Sequence, residues 1–126
     1  MAAGGHAGND AVATVKLRLR RALRAAMAER QAPEVEILRS LLGAIDQAEA
    51  VPVAPGGGYT AVRFGDPAAE VPRKRLSVED VRAVIERERD ELRHAAETYA
   101  SIAQADIAAR CLLKAAILDR YAQEIE

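Results

Sequence analysis

Aromatic side chains are nearly missing from this chain. Its 126 residues include no tryptophan, one phenylalanine (Phe64) and three tyrosines (Tyr59, Tyr99 and Tyr121). Strand-rich domains lean on aromatic and β-branched residues, so a sandwich or barrel is disfavoured at the outset. Cysteine is scarce as well: Cys111 stands alone and cannot form an internal disulfide, which fits a reducing cytoplasm. No apolar run approaches the ~18 residues that a membrane span needs, and the N-terminus lacks the apolar core of a secretory signal. An excess of either charge is also absent. Eighteen Lys and Arg against nineteen Asp and Glu leave a net charge of −1, so no global field commits the protein to nucleic acid or membrane.

What fills the chain is alanine, 28 residues of it, with leucine, isoleucine and valine. Alanine is the best helix former and loses no side-chain entropy on folding. The length suits one domain with a modest core.

Residues 1–9 are small and polar and read as a disordered lead, with Asn9 or Asp10 placed to cap a first helix. Val12, Val15, Leu19, Leu23 and Ala26–Met27 then recur at steps of three and four, one stripe of a helix. It should end near Gln31–Ala32, because Pro33 disfavours helical geometry in the residue before it. Pro33 suits the first turn of a second helix, where Glu34 and Glu36 complement the positive end. Val35, Leu38, Leu41, Leu42, Ile45 and Ala48 form its apolar face. So short a joint makes the two helices antiparallel neighbours. Residues 50–76 break the rhythm: Pro52, Pro55, Gly56-Gly57-Gly58, Gly65-Asp66-Pro67 and Pro72 describe a long Gly/Pro-rich mobile loop. Ser77 with Asp80 has the form of a capping box ahead of Val78, Val81, Ile85, Leu92, Ala96, Tyr99 and Ala103. Glu88 occupies the one stripe position where an apolar residue is missing. After a turn near Gln104–Asp106, with Asp106 as the cap, Ile107, Cys111, Leu112, Ala115, Leu118 and Ala122 make a fourth stripe. The expectation is an all-α domain over 10–126: four main helices as two packed helical hairpins, with the irregular loop between helices two and three.

The run Leu23-Arg24-Ala25-Ala26-Met27-Ala28, followed by Leu38-Arg39-Ser40-Leu41-Leu42-Gly43-Ala44-Ile45 and Glu49, resembles the opening helices of the YqeY family. These proteins share a helical domain with GatB, a subunit of the glutamine-dependent amidotransferase that corrects misacylated tRNA. The resemblance continues through Leu76-Ser77-Val78-Glu79-Asp80-Val81, Arg87-Glu88, Ala95-Ala96-Glu97-Thr98-Tyr99, Asp106 and Leu118-Asp119-Arg120-Tyr121, and so covers most of residues 16–121. It implies the helical fold and a link to tRNA. There are two departures. The family continues with a Leu-Pro step and a further small helical subdomain where Ala122-Gln123 stand here, and Cys111 and Lys114 replace acidic positions of the last helix. The expectation is therefore a family core truncated at its C-terminus, with an apolar edge near Leu118 and Tyr121 left uncovered. The kinase-like catalytic domain of GatB, which uses ATP and magnesium, has no counterpart in the sequence. A carbon–nitrogen ligase label would describe the larger enzyme.

Lys16, Arg18, Arg20, Arg21 and Arg24 lie within nine residues of the first helix, and Arg73-Lys74-Arg75 precede the third. Guanidinium groups present a planar fork of donors to phosphate, so these eight residues are the candidate nucleic-acid contacts. The alternatives are an ordinary solvated face and, for residues 11–28, a mitochondrial presequence, which shares the arginine-rich, acid-free composition. No aromatic residues interleave with the arginines, which argues against base-specific recognition. Leu17 sits within the basic arc; with Leu118 and Tyr121 it is a candidate partner contact. Arg39 and Glu88 form a candidate ion pair between the second and third helices, or else two unrelated surface charges.

Catalytic candidates are thin. His6 falls in the lead, and His94 lacks a second His or Cys at ligand spacing, so neither a metal nor another cofactor is implied. Cys111 lies on an apolar stripe as a small core residue. Ser40, Ser77 and Ser101 lack a nucleophile elbow, and Gly56-Gly57-Gly58 is not followed by the Gly-Lys-Ser/Thr of a phosphate loop. The sequence thus reads as a non-catalytic, cytoplasmic accessory or adaptor, with tRNA or a translation-related protein as partner. The alternative is a protein-interaction or self-association module with no nucleic-acid role.

Overall fold

A computed structural model describes residues 4–50 and 75–125, residues 4–10 as backbone only. Four helices account for nearly all of this: α1 (Gly4–Ala28), α2 (Ala32–Glu49), α3 (Val78–Ser101) and α4 (Ala105–Glu124). The described residues contain no strand. The expected 50–76 loop lies outside them except at its ends.

The starting points of two helices differ from expectation. α1 begins at Gly4, so Asn9 and Asp10 stand inside a helix and not at its cap. Once nucleated, a helix gains one hydrogen bond per residue added, and no proline interrupts residues 4–9. Asp106 lies in the first turn of α4; the cap position is Gln104, which gives no side-chain bond. The Ser77 capping box forms as read: Ser77 Oγ accepts from the Asp80 amide at 3.0 Å, and Asp80 Oδ2 accepts from the Ser77 amide at 3.0 Å.

Both hairpins close through the same joint. Arg30 (φ 56°) and Ala103 (φ 61°) adopt the left-handed conformation. The amide three residues beyond each helix end reaches back five residues: Gln31 to the Ala26 carbonyl at 2.9 Å, and Gln104 to the Tyr99 carbonyl at 2.8 Å. A second bond, Arg30 to Met27 and Ala103 to Ala100, each 3.2 Å, completes a Schellman closure in both. The joint reuses a short pattern, Arg30-Gln31-Ala32 and Ala103-Gln104-Ala105, in which Gln-Ala follows the left-handed residue. Glycine is the usual occupant of the left-handed position, because a Cβ there costs roughly 1–2 kcal/mol. Ala103→Gly is therefore expected to stabilise the protein by about 0.5–1 kcal/mol, after the extra freedom glycine gives the unfolded chain. Chemical denaturation checks this, and a destabilised variant would contradict it.

The core is built chiefly on α2. Leu38, Leu41 and Ile45 from α2, Val81 and Ile85 from α3 and Leu118 from α4 are its largest fully enclosed side chains. α1 adds Val12, Val15, Leu19 and Ala26, and Leu76 with Ile125 close one end. α3 and α4 pack along their length, α1 pairs with α2, and α2 touches both members of the second hairpin. α1 reaches α3 lightly and is separated from the end of α4 by a cleft. Of the expected stripe residues, Met27, Ala103 and Leu112 are exposed, and Ala103 lies beyond the end of α3.

Candidate functional site

α1 turns its apolar stripe inward, which sets its five basic residues around the remaining circumference, and the structure divides them. Lys16 flanks the stripe and is occupied: its ammonium donates to both carboxylate oxygens of Glu49, at 2.8 and 2.9 Å, in a half-buried pair that ties α1 to the end of α2. Arg18, on the opposite flank, points its Nη1 toward the Glu124 carbonyl at 3.5 Å across the cleft. Arg20, Arg21 and Arg24 are exposed, and none of the three has a carboxylate partner among the described residues. With Leu17 they fall within an arc of about 100° and span about 10 Å along the helix. Leu17 is 44% exposed. Of the second basic run, Arg75 is exposed, while Arg73 and Lys74 lie outside the described residues.

The cleft between α1 and the C-terminal end of α4 has a volume of about 350 Å³. Val15, Leu19, Ala22 and Ile125 line it, and Arg18, Arg120 and Glu124 stand around it with Tyr121. Tyr121 belongs to a small polar cluster that joins α4 to the start of α2. Its hydroxyl donates to Glu34 Oε2 at 2.6 Å, Arg120 Nη2 donates to the same oxygen at 2.9 Å, and the Arg120 guanidinium lies 5.1 Å from the Tyr121 ring centre.

Burial, together with the hydrogen bond to Glu34, pushes the Tyr121 phenol from 10.0 up to about 12, against the opposing pull of Arg120. Ionising it would set a second anion beside the Glu34 carboxylate. The unfolded chain therefore releases this proton first. The cluster's contribution to stability is whole below pH 10 and is lost as pH rises toward 12. Denaturation midpoints measured across that window should fall more steeply for the wild type than for Tyr121→Phe; identical slopes would refute the assignment.

Several sequence expectations need correction. Leu118, expected at an uncovered edge, is 1% exposed and fully packed in the core. Ile125, just beyond α4, folds over that end and is fixed by Arg82 Nη2, which donates to its carbonyl at 3.0 Å. Arg39 and Glu88 do not pair. Arg39 is exposed and approaches the Met27 sulfur at 3.9 Å, whereas Glu88 accepts from the Ser40 hydroxyl at 3.3 Å. Arginine at this outer position of α2 reaches back along α1 more readily than across to α3. α3 and α4 are linked by Asp119, which accepts from Arg89 at 2.9 Å and lies 3.7 Å from Arg93.

Cys111, expected as a small core residue, is only half-buried and is not part of the core. His94 lies on a shallow, charged stretch of α3 beside Glu86, Arg87, Asp90 and Glu91. Among the described residues no three His, Cys, Asp or Glu side chains are grouped to hold a metal ion. Nor is any described helix long and apolar enough to cross a membrane.

Sequence reading missed the Lys16–Glu49 pair and the Tyr121–Glu34–Arg120 cluster. The partners are 33 to 87 residues apart, and only the packing of the hairpins brings them together. Comparison with known protein families, with curated proteins and with solved structures finds no match for this chain.

Proposed function

We propose that this protein is a non-catalytic adaptor that holds structured RNA by its backbone phosphates through the outer face of α1. The observation that carries this reading is the unpaired trio Arg20, Arg21 and Arg24 on one exposed arc. Arg82, Arg89 and Arg120 are by contrast bonded to carboxylates, those of Glu79, Asp119 and Glu34. Along 10 Å a duplex presents on the order of six phosphate charges, enough for three guanidinium forks to find partners at once. The arc carries no aromatic platform, so the contacts would fix position without reading bases. The resemblance to the YqeY and GatB helical domain makes tRNA the first candidate, and such a role belongs in the cytoplasm, where Cys111 stays reduced.

The test is a fluorescence titration of tRNA with purified protein at low salt, repeated with the exposed arginines neutralised. Saturable binding that weakens with those changes supports the proposal. No binding at low salt, or binding indifferent to the arginines, rejects it.

Leu17 favours a second reading. A large exposed aliphatic group among arginines suits an acidic partner helix with one apolar anchor. Leu17→Ala separates the two: phosphate binding should be unchanged by it, whereas docking of a protein should weaken about tenfold or more.

A further inference from the structure

α4 is apolar on two sides. Its inner face sends Ala108, Ala115, Leu118 and Ala122 toward the core. Its outer face carries Leu112, 53% exposed, and Leu113, 50% exposed, with exposed Ala109 and Ala116 along the midline between them. Helices that are apolar all round are ordinarily covered all round. No lysine, arginine or acid interrupts this face between Arg110 and Asp119 except Lys114, which turns to α2 and binds Glu36 at 2.6 Å.

The charges that bracket the leucines identify what fits. Asp106, Leu113 and Arg120 are spaced by seven residues, two turns of helix, and so line one edge of the outer face. Suppose a second α4 is laid across this face by a two-fold axis through Leu113. Leu113 then meets its own copy, Ala109 falls within one residue's rise (about 1.5 Å) of Ala116, and Asp106 lies opposite Arg120, with every contact repeated by symmetry. A parallel arrangement would instead oppose Asp106 to Asp106 and Arg120 to Arg120, which like-charge repulsion disfavours. Asp106 is exposed and has no cationic partner among the described residues. Arg120 is about half exposed and, with five N–H donors, has capacity left after Glu34. The alanines let two axes approach toward the lower end of the ~8–10 Å range.

From this self-complementarity we infer that the outer face of α4 is a self-association surface, closing a two-fold dimer in which α4 packs antiparallel on α4 of a second copy. One helix face buries less than the ~1,200 Å² of a standard stable interface, so the dimer forms and dissociates with concentration. The inference is independent of the RNA proposal, since Arg20, Arg21 and Arg24 are not among these residues; Arg120 alone shares the α1–α4 cleft with Arg18.

Sedimentation of the full chain tests it. The average mass should climb from the 13.5 kDa monomer toward twice that value as concentration rises. Leu112→Glu with Leu113→Glu should hold the chain at the monomer mass. Asp106→Arg and Arg120→Asp should each weaken association, and their combination should restore it. Independently, Leu113→Cys in a Cys111→Ala background should cross-link to itself on mild oxidation, whereas Leu17→Cys in the same background should not. This arm needs no disruptive change, so it remains decisive if the glutamate variants fold poorly. A monomer at every concentration, a dimer unaffected by the α4 changes, or equal cross-linking at positions 113 and 17 would each overturn the inference.

Discussion

Replacing Arg20, Arg21 and Arg24 together by glutamine is expected to weaken tRNA binding about a hundredfold at 0.1 M salt and to flatten its salt dependence by about two to three logarithmic units per tenfold change. Each neutralised phosphate releases its condensed counterion, so the slope of log affinity against log salt counts contacts, and three contacts at 0.7–0.9 apiece give roughly this change. Glutamine keeps nearly the helix propensity of arginine, and all three positions are exposed, so the melting temperature should not move. Lys16→Gln offers the contrast. Its ammonium is already held by Glu49, so the RNA slope should hardly change while the α1–α2 link loosens. Titrations repeated over a salt series read both effects. A slope unchanged by the triple substitution would remove the phosphate contacts from α1.

Leu41→Ala should cost about 3–4 kcal/mol, among the largest effects of any single truncation in this protein. Leu41 is wholly enclosed, at 0% exposure, on the helix that touches α1, α3 and α4. Its removal leaves a cavity in the core that the packed helices close only in part. Domains of this size have total stabilities of about 5–15 kcal/mol, so the loss is a substantial fraction and should lower the melting temperature by roughly 10–15 °C. Leu17→Ala, the same deletion of atoms at an exposed site, should stay within about 0.5 kcal/mol. Comparable losses at the two positions would mean that the core does not lie where the structure places it.

The candidate sites were legible to different degrees. The crowding of arginines on the first helix is a local property, and their exposure follows from the stripe opposite them. Which of them is free is not local. Lys16 is spent on Glu49 and Arg18 leans toward the end of α4, and neither could be known before the hairpins were docked. Leu118 and Leu112 show the converse. Both fall on the three-four rhythm, yet one is fully buried and the other faces outward, because α4 carries aliphatic residues on two faces and periodicity alone cannot choose its inner side. Arg39 and Glu88 were paired because each lies on or beside an expected apolar face, but each finds another partner in the folded chain.

Alanine content, the repeat of aliphatic residues at three and four, Pro33 and the Ser77–Asp80 box were enough to settle four helices and their pairing, since each acts within one or two turns of chain. The docking of the hairpins settled the rest: the cleft beside Tyr121, the shared hydrogen bonds on Glu34, and the two leucines left outside on α4. These depend on side chains far apart in the chain meeting across helix surfaces, and that meeting is fixed by packing of whole faces, which no local pattern encodes.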